Sequence, residues 1–257
     1  MLRFRSLASG SSGNATLVQA SSGLHRTQLL VDCGLGVRQL SQRLQQAGSN
    51  IAEIDGIFIT HEHGDHVGCA LSVARMHGIA LWMSQGTADA LGLVAGSPGV
   101  SVLRDGDAVA VGELLLQPFT VPHDAREPLQ LVCTDGHRSV GFLTDIGHVT
   151  PYALDRLRAC SALLLEANHD PDLLQASAYP LSVKRRVSGL HGHLSNAQAA
   201  LALAELAHER LHAVVAAHLS ERNNRPELVQ QVFAEVLGCG RADVLFTTPQ
   251  GRDWLDA

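Results

Sequence analysis

The chain has no long apolar run. No stretch of about 18 apolar residues occurs, and the amino terminus does not set a charged segment before an apolar one. Neither a membrane span nor a secretory leader is expected, and the protein is expected in the cytoplasm. Paired cysteines are missing as well: Cys33, Cys69, Cys133, Cys160 and Cys239 are scattered, odd in number and without a CxxC pair. That excludes a disulfide framework and a cysteine zinc site. Lysine occurs once, as Lys184, and 19 basic residues against 25 acidic ones give a formal charge of −6. A surface built as a whole to coat nucleic acid is therefore excluded, although local basic patches are not. With two Trp and two Tyr, no aromatic-interleaved basic stripe is available for base stacking.

Histidine is abundant instead, with 14 in 257 residues, and its placement matters more than its number. Thr60-His61-Glu62-His63-Gly64-Asp65-His66 holds three histidines and two carboxylates. Ile57-Phe58-Ile59 before it reads as a buried strand, and a helical pattern follows. A strand ending in a turn can splay consecutive side chains toward one point. His61 and His63 could converge on one cation, while Asp65 and His66 could reach a second beside it. Imidazole with carboxylate suits zinc, manganese or iron. A solvated polar turn is the plainer alternative, and the density of ligand types at a strand end argues against it.

The rest of the chain reads as one domain over residues 1–257. Strands are expected at 2–8 and 15–19, joined by Ser9-Gly10-Ser11-Ser12-Gly13-Asn14, whose hydroxyls and backbone N–H groups suit a phosphate; Ser11 and Asn14 are candidate substrate contacts. Leu29 to Gly34 reads as a buried strand, Val37, Leu40 and Leu44 as one helix face, and Val67 to Met76 as a helix ending at Gly78. A strand at 80–83 and a helix at about 87–94 continue an α/β alternation. Short segments at 101–103, 108–111, 114–121, 129–134 and 139–144 read as antiparallel sheet. Thr150-Pro151 opens a helix, Ser195-Asn196-Ala197-Gln198 is a capping box opening another to about residue 209, and a helix is expected over 226–237. Strands at 162–165, 213–217 and 243–247 complete two mixed β-sheets packed face to face with helices outside, a four-layer αββα sandwich.

Four more polar positions stand just beyond apolar runs: His123, Asp145, Glu166 and His218. Singly each has a mundane reading; Asp145 could cap a turn before Gly147, and His218 could hydrogen-bond in a loop. Strand ends gather on one rim of a layered fold, and a rim carrying these residues together is a site.

These motifs resemble the metallo-β-lactamase superfamily, in which THxHxDH at a strand end precedes an isolated His, an Asp and a final His. Within it the chain is similar to the YycJ-like family of DNA exonucleases, from Leu7-Ala8-Ser9-Gly10-Ser11-Ser12-Gly13-Asn14-Ala15 through Glu166-Ala167-Asn168-His169-Asp170 and Gly192-His193-Leu194-Ser195-Asn196 to Ala217-His218-Leu219-Ser220. The resemblance implies that His61, His63 and His123 bind one divalent metal ion, that Asp65, His66 and His218 bind a second, and that Asp145 bridges them. Two ions about 3.5 to 4 Å apart can share a hydroxide for in-line attack. An Asp rather than a Cys at 145 points to phosphodiester or thioester hydrolysis rather than lactam opening. Asp65 could also orient the nucleophile, while Glu166 and His193 resemble an acid and a histidine placed next to the scissile phosphate, His193 donating to the leaving oxygen. His193 could instead merely pack beside the capped helix.

Lys184-Arg185-Arg186 and Arg222, Asn223 and Arg225 could present guanidinium and amide donors to phosphates, or simply be a solvated face. The reading is a dinuclear phosphodiesterase acting on DNA from an end, with zinc as the first choice of ion and manganese or iron as alternatives. A hydrolase of a small cyclic phosphodiester or thioester, which the acidic charge suits, is the second reading; a metal-dependent binding module is the third.

Overall fold

The computed structural model describes residues 1–94 and 96–257. The first sheet is built from β1 (Leu2–Ala8), β2 (Ala15–Ser22), β3 (His25–Val31), β4 (Gly56–Phe58), β5 (Ala80–Met83) and β6 (Val100–Val102). The second contains β7 (Val109–Val111), β8 (Leu114–Thr120), β9 (Leu129–Thr134), β10 (Ser139–Leu143), β11 (Ala162–Glu166), β12 (Ala213–Ala217) and β13 (Leu245–Phe246). A last strand, β14 (Leu255–Asp256), returns to the first sheet, whose order is β14-β1-β2-β3-β4-β5-β6, while the second runs β13 through β7 in reverse chain order. β3 to β6 are mutually parallel, as are β10 to β13. β8 opposes β9, which opposes β10, so β8 also points the same way as β10.

Three apolar layers make this a four-layer sandwich. Phe4, Val18, Leu29, Val31 and Phe58 of one sheet meet Leu116, Leu131, Phe142, Leu164 and Val215 of the other. The alternate residues, Leu17, Leu30 and Ile57, face outward onto Leu40 and Leu44 of α1 (Val37–Gln46). α2 (Gly64–Val67), α3 (Ala70–His77) and α4 (Gln85–Ala90) lie on the same side, Val67, Val73 and Ala88 packing into that layer. Beyond the second sheet, Leu163, Leu165, Val214 and Ala216 pack on Leu157 of α5 (Pro151–Leu157). Between that helix and the next core helix come α6 (Pro171–Ala176) and α7 (Leu181–Val187). Leu203 of α8 (Asn196–Leu206) and Phe233 of α9 (Pro226–Leu237) complete this outer layer. Period-two alternation into two apolar layers explains why the central strands read as unbroken apolar runs. Each fully buried Leu contributes roughly 1.5–3 kcal/mol. No helix among the described residues is long and apolar enough to cross a membrane.

The helix over 226–237, the Thr150 cap and the Ser195–Gln198 capping box stand as the sequence implies. Several expectations need correction. The strand at 100–102 does not join the antiparallel set; it pairs parallel with β5 at the edge of the first sheet. The helix expected from Val67 to Gly78 is broken at Gly68 (φ +38), where a Cβ would stand 2.5 Å from the Cys33 carbonyl. Only α3 continues beyond it. The helix at 87–94 is shifted to Gln85–Ala90 because Ser84 Oγ accepts from Thr87 N and sets the start. The strand at 243–247 shortens to Leu245–Phe246 behind a 3₁₀ turn at Arg241–Asp243. α6, α7 and β14 were not foreseen.

Candidate metal centre

The parallel strands deliver the predicted residues to one rim: His61 just beyond β4, His123 beyond β8, Asp145 beyond β10, Glu166 at the end of β11 and His218 beyond β12. His61, His63 and His123 bring ligand atoms within 4.8 Å of one another; so do Asp65, His66 and His218, and so do His61, His66 and Asp145. Two cation-sized positions therefore share the Asp145 carboxylate region.

The imidazoles are aimed by a common device. His66 Nδ1 donates to Asp32 Oδ2 at 2.7 Å, His61 Nδ1 to Thr60 Oγ1 at 3.0 Å, His123 Nδ1 to the Gly192 carbonyl at 3.1 Å and His218 Nδ1 to Glu166 Oε1 at 3.3 Å. Each bond fixes the tautomer and turns Nε2 toward the centre. The Nε2 atoms of His61, His123 and His218, with Asp145 Oδ2, are buried without a hydrogen-bond partner. Leaving buried acceptors bare costs about 1–3 kcal/mol each, so the donor set fits cations rather than a closed polar core.

Charge tells the same story. Burial would raise the Asp145 carboxyl, yet His218 and His66 beside it hold it well below the usual carboxylate range. Burial would lower His218, but Asp145, Asp65 and Glu166 push it up to about 10. His66 rises in the same manner against Asp145 and Asp32. His61, in contrast, is lowered by burial and then by His66. The carboxylates demand positive charge, which protons or metal ions can supply.

The chain supports this wall with unusual backbone. Asp32, Asp145 and His218 adopt φ values of 58°, 56° and 55°, the left-handed region that Asp, Asn and His tolerate best among residues with a Cβ. Asp32 had no assigned role in the sequence. Its Oδ1 accepts from Thr60 N at 2.9 Å while Oδ2 holds His66. Its position at a strand tip, in Val31-Asp32-Cys33-Gly34, is the signal that could have found it. Gly34 lies so close to α2 that a Cβ would stand 1.7 Å from the Asp65 carbonyl. The fold also brings Cys33 Sγ to 3.6 Å from Cys69 Sγ, both as free thiols.

Other expectations change. Asn14 is buried, its Nδ2 lying 3.1 Å from His66 Nε2 and donating to the Gly10 carbonyl at 3.2 Å, so it braces the ligand loop rather than offering itself to substrate. Ser11 is exposed at the loop tip. Glu166 is 0% exposed. Its Oε1 accepts from His193 Nδ1 at 2.7 Å, and its Oε2 from the backbone of Ile146 and Leu194 at 3.1 Å each. It stands behind His193 and His218 and orients them; it is not open to a phosphate. Burial alone would raise its carboxyl, but His193 brings it down to about 2. His193 is not merely packed beside α8, since its ring centroid lies 5.4 Å from His123 and 5.3 Å from His218. Asp65 is the ligand-set acid with an exposed edge, its side chain 28% accessible.

The basic residues divide. Lys184, Arg185 and Arg186 sit in the last turn of α7, a helix with no buried residue. Lys184 Nζ donates to the Gln175 carbonyl at 2.5 Å. Arg222 lies 5.8 Å from the Tyr179 ring centroid. Arg225 Nη1 is spent on the Asn224 and Glu221 carbonyls. Asn223 is only 2% exposed, which corrects its assignment to substrate: it is folded into the turn, its N–H donating to Ser220 Oγ at 3.2 Å. His169 is likewise buried, and burial pushes its imidazole down to about 4.

The description "beta-lactamase superfamily domain" matches residues 27–218. An exodeoxyribonuclease YycJ of Bacillus anthracis is 33% identical over 92% of this chain and 89% of its own length. An exodeoxyribonuclease WalJ of Streptococcus pneumoniae is 31% identical over 91% and 88%. The metallo-β-lactamase-fold protein YhfI from Bacillus subtilis superposes with a TM-score of 0.73 over 100% of both chains at 13% identity, a likeness of fold alone. With its strand-end histidines, its two-sheet sandwich and its full-length relatives, the chain belongs to the metallo-β-lactamase-fold β-lactamase superfamily, in the YycJ-like family.

Proposed function

We propose that the protein is a phosphodiester hydrolase with two divalent metal ions, acting as an exonuclease on DNA, and that residues 1–257 work as a single domain. The observation that carries this reading is the set of bare, buried atoms around Asp145: three imidazole nitrogens and a carboxylate oxygen aimed at one place. The relatives named exodeoxyribonucleases support the choice of substrate. His61, His63 and His123 would hold one ion and Asp65, His66 and His218 the other, with Asp145 between them. Zinc is the ion we assign first, and the same donors serve manganese or iron.

The chemistry that divalent ions would supply there is acidification of a water and neutralisation of charge on phosphate oxygens. The residues do the rest. Asp65, with its open edge and its Oδ2 3.7 Å from both His66 Nε2 and His218 Nε2, orients the attacking water and receives its proton. His193, anchored through Nδ1 on Glu166, keeps Nε2 for donation to the leaving oxygen. Burial lowers the His193 pKa, but Glu166 more than offsets this and raises it, which favours the protonated form needed for that step. Exposed Arg185 and Arg222 offer contacts to a strand running over the mouth. Five free thiols suit a reducing cytoplasm, where we place the protein.

The test uses zinc- or manganese-reconstituted protein with end-labelled duplex DNA, single-stranded DNA and bis-p-nitrophenyl phosphate. Release of mononucleotides from one end is expected. Hydrolysis of the small ester without any DNA degradation would instead favour the small-phosphodiester reading, which the net charge of −6 suits.

A further inference from the structure

The mouth of the centre carries an acid–base pair with no role in the chemistry above. Asp124 follows His123, and its Oδ2 accepts from Arg186 Nε at 2.5 Å. Its Oδ1 lies 3.3 Å from His123 Nε2 and 4.0 Å from His63 Nε2. One carboxylate thus holds a guanidinium while lying within 4.0 Å of two ligand imidazoles.

Backbone fixes both ends of the link. Asp124 N donates to the His191 carbonyl at 2.9 Å, and the Asp124 carbonyl accepts from His63 Nε2 at 3.2 Å. On the Arg186 side, His193 N donates to the Val187 carbonyl at 2.8 Å and Gly192 N to the Gly189 carbonyl at 2.9 Å. A Cβ at Gly192 would stand 2.1 Å from the Arg186 carbonyl, so glycine is what lets this passage run against the end of α7. The Gly192 carbonyl in turn holds His123 Nδ1. Arg186 and His123 are registered through the same short stretch of chain.

Asp124 engages only the Nε edge of Arg186. The terminal nitrogens have no partner among the described residues, and the side chain is 62% exposed. That free edge is the part of an arginine fork that matches phosphate oxygens, and a tethered fork loses less freedom on binding than a loose one. Lys184 is spent on a carbonyl, so it does not compete for this place.

We propose that Arg186 clamps a non-bridging phosphate oxygen of the substrate beside the His61–His63–His123 position, and that Asp124 is the positioning residue that aims it. This rests on the phosphodiesterase reading of the centre. Because Asp124 neutralises Arg186 at a distance, the pair supplies orientation more than long-range attraction.

The test measures metal content, bis-p-nitrophenyl phosphate kinetics and calorimetric binding of inorganic phosphate in metal-reconstituted wild type, Arg186→Gln, Arg186→Lys and Asp124→Asn. Arg186→Gln should raise KM and weaken phosphate binding by about 10- to 100-fold, with metal content unchanged. Arg186→Lys should recover part of that loss, since charge returns without the fork. Asp124→Asn should move KM in the same direction by less. Wild-type phosphate affinity in Arg186→Gln, or no phosphate binding to the loaded wild type, overturns the clamp. Loss of metal by Asp124→Asn with phosphate affinity per loaded site intact also overturns it, making Asp124 a ligand. If wild type hydrolyses no phosphodiester, the enzymatic reading fails, while the calorimetric comparison still decides for or against the clamp.

Discussion

The inner wall of the centre and its outer lip are built on opposite terms. On the wall, His61, His66, His123 and His218 are each held through Nδ1 by a partner that is itself anchored: Asp32 by Thr60, Glu166 by two backbone amides. On the lip, from α6 through α7 to Leu190, Lys184 and Arg186 are each held by a single side-chain bond and Arg185 is exposed. Where every atom is committed in advance, a cation can be held in a set geometry at little cost in ordering. Where side chains are half free, a polymer can be accommodated in more than one register. In the proposed reading, the wall carries the chemistry and the lip meets the substrate.

Substitutions can break this contrast, and the largest effect is expected at its centre. Asp145→Ala should abolish phosphodiester hydrolysis and remove at least one ion per chain, read by elemental analysis after reconstitution and buffer exchange. Retention of both ions would mean that the wall does not depend on the shared carboxylate. Asp32→Ala touches no cation position, yet it frees His66; metal affinity should fall by about 10- to 100-fold. A titration indistinguishable from wild type would show that His66 is held well enough without Asp32, by Thr60 and Asn14. Gly34→Ala drives a methyl into the Asp65 carbonyl. It should lower thermal stability and metal affinity together, whereas Gly36→Ala, where a Cβ meets nothing within 4 Å, should leave both unchanged.

Titration sharpens the contrast further. Glu166, brought down to about 2 from 4.5, contributes stability that is complete above pH 4.5 and is lost as pH falls toward 2. His218, raised from 6.5 to about 10, contributes stability that is complete below pH 6.5 and is lost as pH rises through 10. The metal-free protein should therefore be most resistant to denaturant between about pH 4.5 and 6.5, and Glu166→Gln should flatten the acid limb. A metal-free stability profile that is flat from pH 3 to 10 would contradict these assignments. The smallest effect belongs to the lip: Arg222→Gln should change small-ester hydrolysis by no more than about twofold, a surface contribution within about 0.5 kcal/mol.

The wall was legible in the sequence because its ligands sit at the tips of apolar strands, where nothing else explains a His or an Asp. The same rule applied to Val31-Asp32-Cys33-Gly34 would have reached Asp32, whose carboxylate acts through another side chain and so belongs to no ligand spacing. Asn14 and Glu166 were noticed but misplaced. An amide beside glycines looks like a phosphate cradle until the fold shows it turned inward, and a carboxylate paired with a histidine looks open until two backbone amides are found to close it. The lip was legible only as the basic run Lys184-Arg185-Arg186, not as helices. α6 and α7 lack a broad apolar face, so periodicity had little to detect, and their order comes from contacts far along the chain. The break at Gly68 was hidden for a similar reason, since it answers to the Cys33 carbonyl of a neighbouring segment.

Three strand tips, Asp32, Asp145 and His218, hold a left-handed backbone in which glycine would sit more comfortably. The protein thus forgoes some robustness at the places where it most needs a functional side chain. Glycine at any of these tips would relax the backbone and empty the wall of a carboxylate or an imidazole, so the strained conformation is held for the side chain it presents.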